Sequence, residues 1–461
     1  MSPFVLAGAV VVLLGFLYVV KNRRSSKKLP PSPPRLPLLG HLHFIGRLPH
    51  RSLHELDLRY GGGGAQADVR LPQRLLLPKI VVVHLLSQRR VEAFAPVRAA
   101  EAAALGARVR RRVAEAVEVK ELLYGYTNSV ITRAAAGAAG ATAERLRQLL
   151  AHSATLVAGF QADDLLPDAA ARVFRRVTGL ERKIDDMNEE WDRFLSDIVA
   201  EHKEKKTTPG QQGGDFLDVL LQLREDELGA EGGFELNDDV TKAITKDMIA
   251  AATETTALAR NPRVMSKLQD EIARVVSGDA AVAEAELSRM VYLRAVVKEV
   301  LRLHLPVPLL LPRESMSPAA VQDGRYEIPA GTALLVNAWA IGRDPGAWDA
   351  PEEFRPERGT DYQLLPFGTG RRVCPGINFA LPVLELALAT LLRHFDWELP
   401  AGVRPADMDM VEAPGLSAPP RVPLVLVPNF PAIALCSRPP IQKDDSPLTS
   451  FGLGLPLNTS L

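Results

Sequence analysis

Residues 364–380 read Leu-Leu-Pro-Phe-Gly-Thr-Gly-Arg-Arg-Val-Cys-Pro-Gly-Ile-Asn-Phe-Ala. Cys374 stands between two glycine-bearing turns and ahead of an apolar stretch that predicts a helix from about Pro375 to Leu392. Proline in a first helical turn loses nothing, because its missing N–H would have had no partner. The chain holds two cysteines in 461 residues, so a disulfide scaffold is not the reading. A thiolate at a helix N-terminus is favoured by the dipole and by unpaired backbone amides, which makes Cys374 a candidate metal ligand. Phe367 is placed to shield the sulfur, Gly370 and Gly376 allow a flat group to approach the backbone, and Arg371 and Arg372 are placed to meet carboxylates.

The rest of the composition narrows the classes. Apolar residues make up 47% of the chain, enough for a large core, and the net charge is zero, so nucleic acid is not an expected partner. The prolines cluster near the N-terminus and after residue 300, which suggests loops and short strands there. No internal repeat is visible.

Phe4–Val20 is an unbroken apolar run at the short end for a membrane span. Lys21, Arg23, Arg24, Lys27 and Lys28 follow it, the reverse of a cleaved signal peptide. Residues 1–20 therefore read as an uncleaved anchor with the remainder in the cytosol, against the alternative of an apolar helix packed on the domain. Residues 21–40 are a basic, proline-rich hinge, stiff and extended. Leu53–Tyr60 suggests a short helix. Gly61–Gly64 has no Gly-Lys-Ser/Thr after it and reads as a turn, not a phosphate loop. Residues 81–206 are helical in character; Arg108, Arg110, Arg111 and Arg112 read as a solvated helix face, and a helix from about Ala171 to Lys205 carries Trp191. Further helices are expected at Asp215–Glu227, from near Asn237 onward, at Pro262–Val276 and at Tyr292–His304. A β-rich stretch is expected at Tyr326–Val336 and a strand at Val422–Val427.

Two more constellations stand out. Ala251-Ala-Thr-Glu-Thr-Thr256 places poor helix formers in mid-helix, where a threonine that bonds back to a carbonyl can open the helix; alone it is equally an ordinary threonine-rich helix end. Glu299 and Arg302 lie at i and i+3 on one helix face, which alone is equally a surface ion pair.

The spacing Phe-x-x-Gly-x-Arg-x-Cys-x-Gly is met at Phe367, Gly370, Arg372, Cys374 and Gly376. It resembles the haem-binding loop of the cytochrome P-450 family, the haem-thiolate monooxygenases, and the plant microsomal type in particular. The resemblance covers most of residues 1–428. It implies a mainly α fold with a smaller β-rich part around one buried haem, with Cys374 as axial thiolate, metal ligand to the iron, and Arg372 on a propionate. It implies that Glu254 and Thr255 relay protons to dioxygen, and that Glu299, Arg302 and Arg358 of the Phe354-Arg-Pro-Glu-Arg358 segment lock together structurally. Leu309, Leu310 and Pro414–Ser417 would face the substrate. The implied activity is oxidation of a small lipophilic, secondary-metabolite-like molecule. Electrons would come from NADPH through a separate membrane reductase at the endoplasmic reticulum, with the catalytic domain facing the cytosol.

The chain departs from the family in four places, the first of them the shortened segment before the early helices. No tryptophan precedes Trp191, so the family's early Trp-x-x-x-Arg helix is missing. Residues 71–83 join in one jump what the family separates. Ala257–Arg260 is all that stands between Thr256 and Asn261-Pro262. Arg358 runs straight into Gly359-Thr, near 358–360, without the family's longer meander. Residues 429–461, which hold Cys436, resemble nothing in it. The abrupt edges suggest missing or misjoined coding segments within the 41–428 domain. Two alternatives stay open: a catalytically impaired member without a full haem pocket, and a haem-thiolate isomerase or dehydratase. The latter usually lacks the acid–threonine pair.

Overall fold

The computed structural model describes residues 48–60, 86–137, 141–157, 176–204, 215–219, 257–277, 281–321, 326–358, 364–370, 373–413 and 418–431, with Ser32, Pro33, Phe44 and Gly46 upstream. The anchor, most of the hinge, residues 71–83, the stretch from 220 to 256 and the tail beyond 431 lie outside them.

The first helix, α1, is Pro49–Tyr60, longer at its start than the sequence suggests. Then α2 (Gln88–Ala93) and α3 (Ala95–Arg110) meet at Phe94, with proline in the first turn of α3. α3 buries Ala102, Leu105 and Val109, a stripe at helical spacing. Of the arginines at its end, Arg110, Arg111 and Arg112 are exposed as expected. Arg108 departs: its Nε and Nη2 are buried without a hydrogen-bond partner, because it lies against α4, where the Arg108 Nη1 would be 3.1 Å from a Cβ at Gly125. A two-residue strand, β1 (Val117–Glu118), interrupts the helices before α4 (Val119–Ala136) and α5 (Ala141–Val157).

α6 (Leu180–Glu204) buries Met187, Trp191, Phe194, Leu195, Ile198 and Val199, one stripe down its length. Trp191 donates its indole N–H to Ser153 Oγ on α5 at 2.7 Å. His202 continues that stripe. One ring nitrogen meets the Ile198 carbonyl at 2.8 Å and the other the Asp215 carboxylate at 2.9 Å. Asp215 opens the helix over 215–219: the Asp218 amide donates to its side chain at 2.9 Å, and the Asp215 amide donates back to Asp218 at 3.1 Å. Gly137 ends α4 at φ +55°, and a Cβ there would lie 2.6 Å from Asp215 Oδ2. Only glycine meets both demands.

The second half begins with a 3-10 turn at Ala257–Arg260, and α7 (Pro262–Val275) starts on Pro262. α8 (Val291–Leu303) follows. Short strands pair as antiparallel ribbons: β2 (Arg313–Glu314) with β5 (Ala333–Leu334), and β3 (Ala319–Val321) with β4 (Tyr326–Ile328). These realise the expected β-rich stretch. α9 (Ala338–Ile341) is capped by Asn337, whose side chain also donates to the His50 carbonyl of α1 at 2.7 Å.

α10 (Ile377–His394) is the centre of the molecule. It buries residues on every side, from Phe379 through Leu392, because α3, α4, α7 and α8 all pack on it. It is long and apolar enough to cross a membrane, but that composition is what a helix enclosed by four others requires. After it, β6 (Asp396–Glu398) pairs with β7 (Val425–Asn429), and β7 pairs with β1, giving the order β1-β7-β6. The registers are Val117↔Leu426 and Trp397↔Pro428. The last strand thus starts three residues later and ends two later than the sequence predicts. It carries the fold through Asn429, and Phe430 stacks on Phe395 at 6.4 Å. The architecture is mainly α with small antiparallel sheets, as expected.

The buried His202 contact yields a pH prediction. Burial alone would lower its pKa, but the Asp215 hydrogen bond and charge, the Ile198 carbonyl and Asp218 outweigh burial and raise it above the ordinary 6.5. A raised folded pKa stabilises fully below the unfolded value and ceases to do so as pH rises through the folded one. Denaturant midpoints followed from about pH 6 to pH 9, a range bracketing histidine's ordinary pKa, will fall more for the parent chain than for His202→Gln. Parallel curves would contradict the buried ion pair.

Candidate active site

The loop ahead of α10 is built from two glycine turns. Gly370 has φ +70°, and a Cβ there would meet nothing within 4 Å. Backbone conformation alone is enough to select the glycine here. The Cys374 amide donates to the Phe367 carbonyl at 2.8 Å, folding the sulfur back over the loop, and Val373 donates to Gly370 at 3.0 Å. Phe367 itself packs against the main core. Leu365 packs on a small cluster formed by Leu305, Leu310 and Ala338, which ties the loop to the end of α8 and to α9.

Gly376 is the N-cap of α10, so Pro375 precedes the helix instead of opening its first turn. Gly376 lies against the sulfur, which would stand 3.7 Å from a Cβ there, and its amide is directed at Cys374. Burial nonetheless pushes the Cys374 thiol up, and the Gly376 amide pulls it down by less. The backbone amide does not by itself outweigh burial in ionising this thiol. A metal cation does, since a coordinating thiol loses its proton outright.

Behind the loop lies a buried charge cluster. Glu299 and Arg302, near the end of α8, form a two-pronged pair at 2.8 and 2.9 Å. Their side chains are 5% and 1% exposed, so this is not a surface ion pair. Arg302 uses every N–H it has: the others go to the carbonyls of Gly342, Pro351 and Glu353. Arg358 donates its Nε to the same Glu299 at 3.1 Å, and its other nitrogens to the carbonyls of Asp349, Ala350 and Glu353. The Arg355 amide adds a further bond to Glu299 at 2.8 Å. Arg302 also lies over the Trp348 ring, 5.1 Å from its centroid. The carbonyl acceptors were not legible in the sequence, since no residue type marks them.

The predicted residues divide as follows. Phe367, Gly370, Cys374 and Gly376 share one loop; Glu299, Arg302 and Arg358 share one cluster. Glu254, Thr255 and Arg372, and the turn Pro414–Ser417, lie outside the described residues. Leu309 and Leu310 are buried, and Leu310 has a positive φ of 51°.

A family model for cytochrome P450 matches residues 72–427. The chain belongs to the cytochrome P450 family. It is 35% identical to cytochrome P450 71A2 of Solanum melongena, covering 91% of this chain and 96% of that protein. It is 35% identical to premnaspirodiene oxygenase of Hyoscyamus muticus over 91% and 97%, and 33% identical to (+)-menthofuran synthase of Mentha piperita over 90% and 97%. The first of these alignments runs over 491 positions, while this P450 has 461 residues, so the relative carries residues with no counterpart here.

Family membership implies a haem with a cysteine thiolate ligand. The proximal half of this P450 fits that group. One soft sulfur donor stands half-buried on the loop, whereas the group of three metal-ligating side chains found among the described residues, His202, Asp215 and Asp218, lies elsewhere in the fold. A lone thiolate suits haem iron, which takes its other protein-independent ligands from the porphyrin.

The charge cluster gives the second prediction. Glu299→Gln leaves two buried guanidiniums around a neutral amide. Breaking a buried pair from one side costs about 3–5 kcal/mol. Thermal unfolding followed by circular dichroism will show a markedly lower midpoint; an unchanged midpoint would mean that the cluster carries no fold energy.

Proposed function

We propose that this P450 monooxygenase is held by residues 1–20 in the endoplasmic reticulum membrane, with its catalytic domain in the cytosol. It oxidises a small lipophilic substrate using electrons passed from NADPH by a separate membrane reductase. The observation that carries the reading is the Cys374 loop: a thiol backed by the Gly376 amide, its own amide tied to Phe367, at the head of the central helix. Relatives named for premnaspirodiene and menthofuran support a lipophilic secondary metabolite as substrate.

In this reading Cys374 holds the haem iron, Phe367 covers the sulfur and Arg372 pairs with a propionate. The haem, when bound, supplies the activation of dioxygen. Glu254 and Thr255 deliver protons from solvent to the substrate side. Glu299, Arg302 and Arg358 touch no reactant; they hold the loop's neighbours in place.

Two measurements test this. The reduced protein under carbon monoxide will show the red-shifted Soret band of a thiolate-bound haem, and Cys374→Ser will abolish it. A parent chain without that band overturns the assignment and favours the second reading, an impaired member lacking a full pocket, which the unmatched positions in the relatives' alignment support. Thr255→Ala will keep consuming NADPH while product formation falls several-fold; unchanged coupling would remove Thr255 from the proton path.

A further inference from the structure

The far end of α10 borders a cavity of about 50 Å³ whose eleven lining residues are all apolar. Leu388, Leu391 and Leu392 supply one wall, Trp397 another, and the 3-10 turn contributes Leu258 and Ala259; aliphatic side chains of α4 and the last strand, with Met265 of α7, complete it. Leu388 lies roughly 16 Å along the helix axis from the start of α10, at 1.5 Å per residue, so this space is distinct from the Cys374 loop.

The Trp397 indole N–H, the one polar side-chain group among the lining residues, already donates to the Leu391 carbonyl at 3.2 Å. The lining offers almost no polar surface, so the space, which opens on one side, favours an apolar occupant over water. The exposure pattern traces the same space: Leu258, Leu388 and Trp397 each keep 8% of their surface, while Leu386 and Ala389, elsewhere on α10, keep none. The turn Ala257–Arg260, closed by the Asn261 amide on the Leu258 carbonyl at 2.9 Å, borders the void before α7 leads the chain away. That turn presents an alanine methyl where a longer side chain would have filled the space. The wall atoms there forgo dispersion contacts.

We propose that this cavity is a binding site for one small, uncharged apolar molecule without hydrogen-bonding groups, of about the size of xenon or a light hydrocarbon. The site is independent of the haem. Occupancy restores the contacts that the short turn leaves unmade and favours the folded state.

The probe is xenon, titrated into the purified full-length protein and followed by its own nuclear resonance. A saturable component is expected, and Ala259→Leu, which fills the void, will remove it while raising the thermal midpoint by a degree or two. An unchanged xenon isotherm in Ala259→Leu, or a lowered midpoint, overturns the proposal. Leu391→Ala provides an independent arm by enlarging the cavity: benzene will raise the thermal midpoint of that variant and leave the parent's unchanged. Equal responses of the two to benzene overturn it as well.

Discussion

A carboxylate taken out of water must find its full complement of donors in the protein, and Glu299 does. Two guanidiniums and one backbone amide converge on it, and the same guanidiniums reach out to the carbonyls of residues 342–353. A segment with almost no regular structure is thereby held as firmly as a helix. Residues 349–358 have no ladder of their own, so their carbonyls would otherwise need water. The arginines act as rigid multi-pronged donors, a role lysine could not fill. The Cys374 loop rests on this scaffold through Leu365 and the cluster at Leu310 and Ala338.

Glu385 shows what the same residue type does without such partners. It is buried on α10, and burial pushes its carboxyl up to about 7, with Arg294 and Lys298 pulling against the shift. Glu299 is enclosed by direct hydrogen bonds, while Glu385 relies on charges at longer range. The contrast separates a carboxylate that organises a fold from one that the fold merely tolerates.

Much of this was legible in the residues. Pro262 after an asparagine, and apolar residues three and four apart, announced α7 and α8 to within a residue or two. Spacing placed Glu299 and Arg302 on one helix face, and only the resemblance to the family's Glu-x-x-Arg and Pro-Glu-Arg segments joined them to Arg358. Other features were hidden for definite reasons. β1 is two residues long, and its partner lies some three hundred positions away, so no local period reveals it. The start of α10 was misjudged because a proline after Cys374 suits a first turn, whereas the loop's own hydrogen bonds place Pro375 ahead of the cap. His202 and Asp215 gave no signal, since their meeting depends on how two helices pack over Gly137.

The sheet β1-β7-β6 has one further consequence, and it concerns synthesis. Val117 must wait for Leu426 before its strand has a neighbour. By then almost the entire described chain has left the ribosome. The helices of the first half can pack as they emerge, since α3, α4, α5 and α6 contact one another locally, but α10 and β7 arrive last. Until they do, the hydrophobic faces of α3 and α4 stand open, and closure of such long-range contacts is slow. The nascent chain therefore passes through an extended period with its core uncovered, when it is most prone to aggregation.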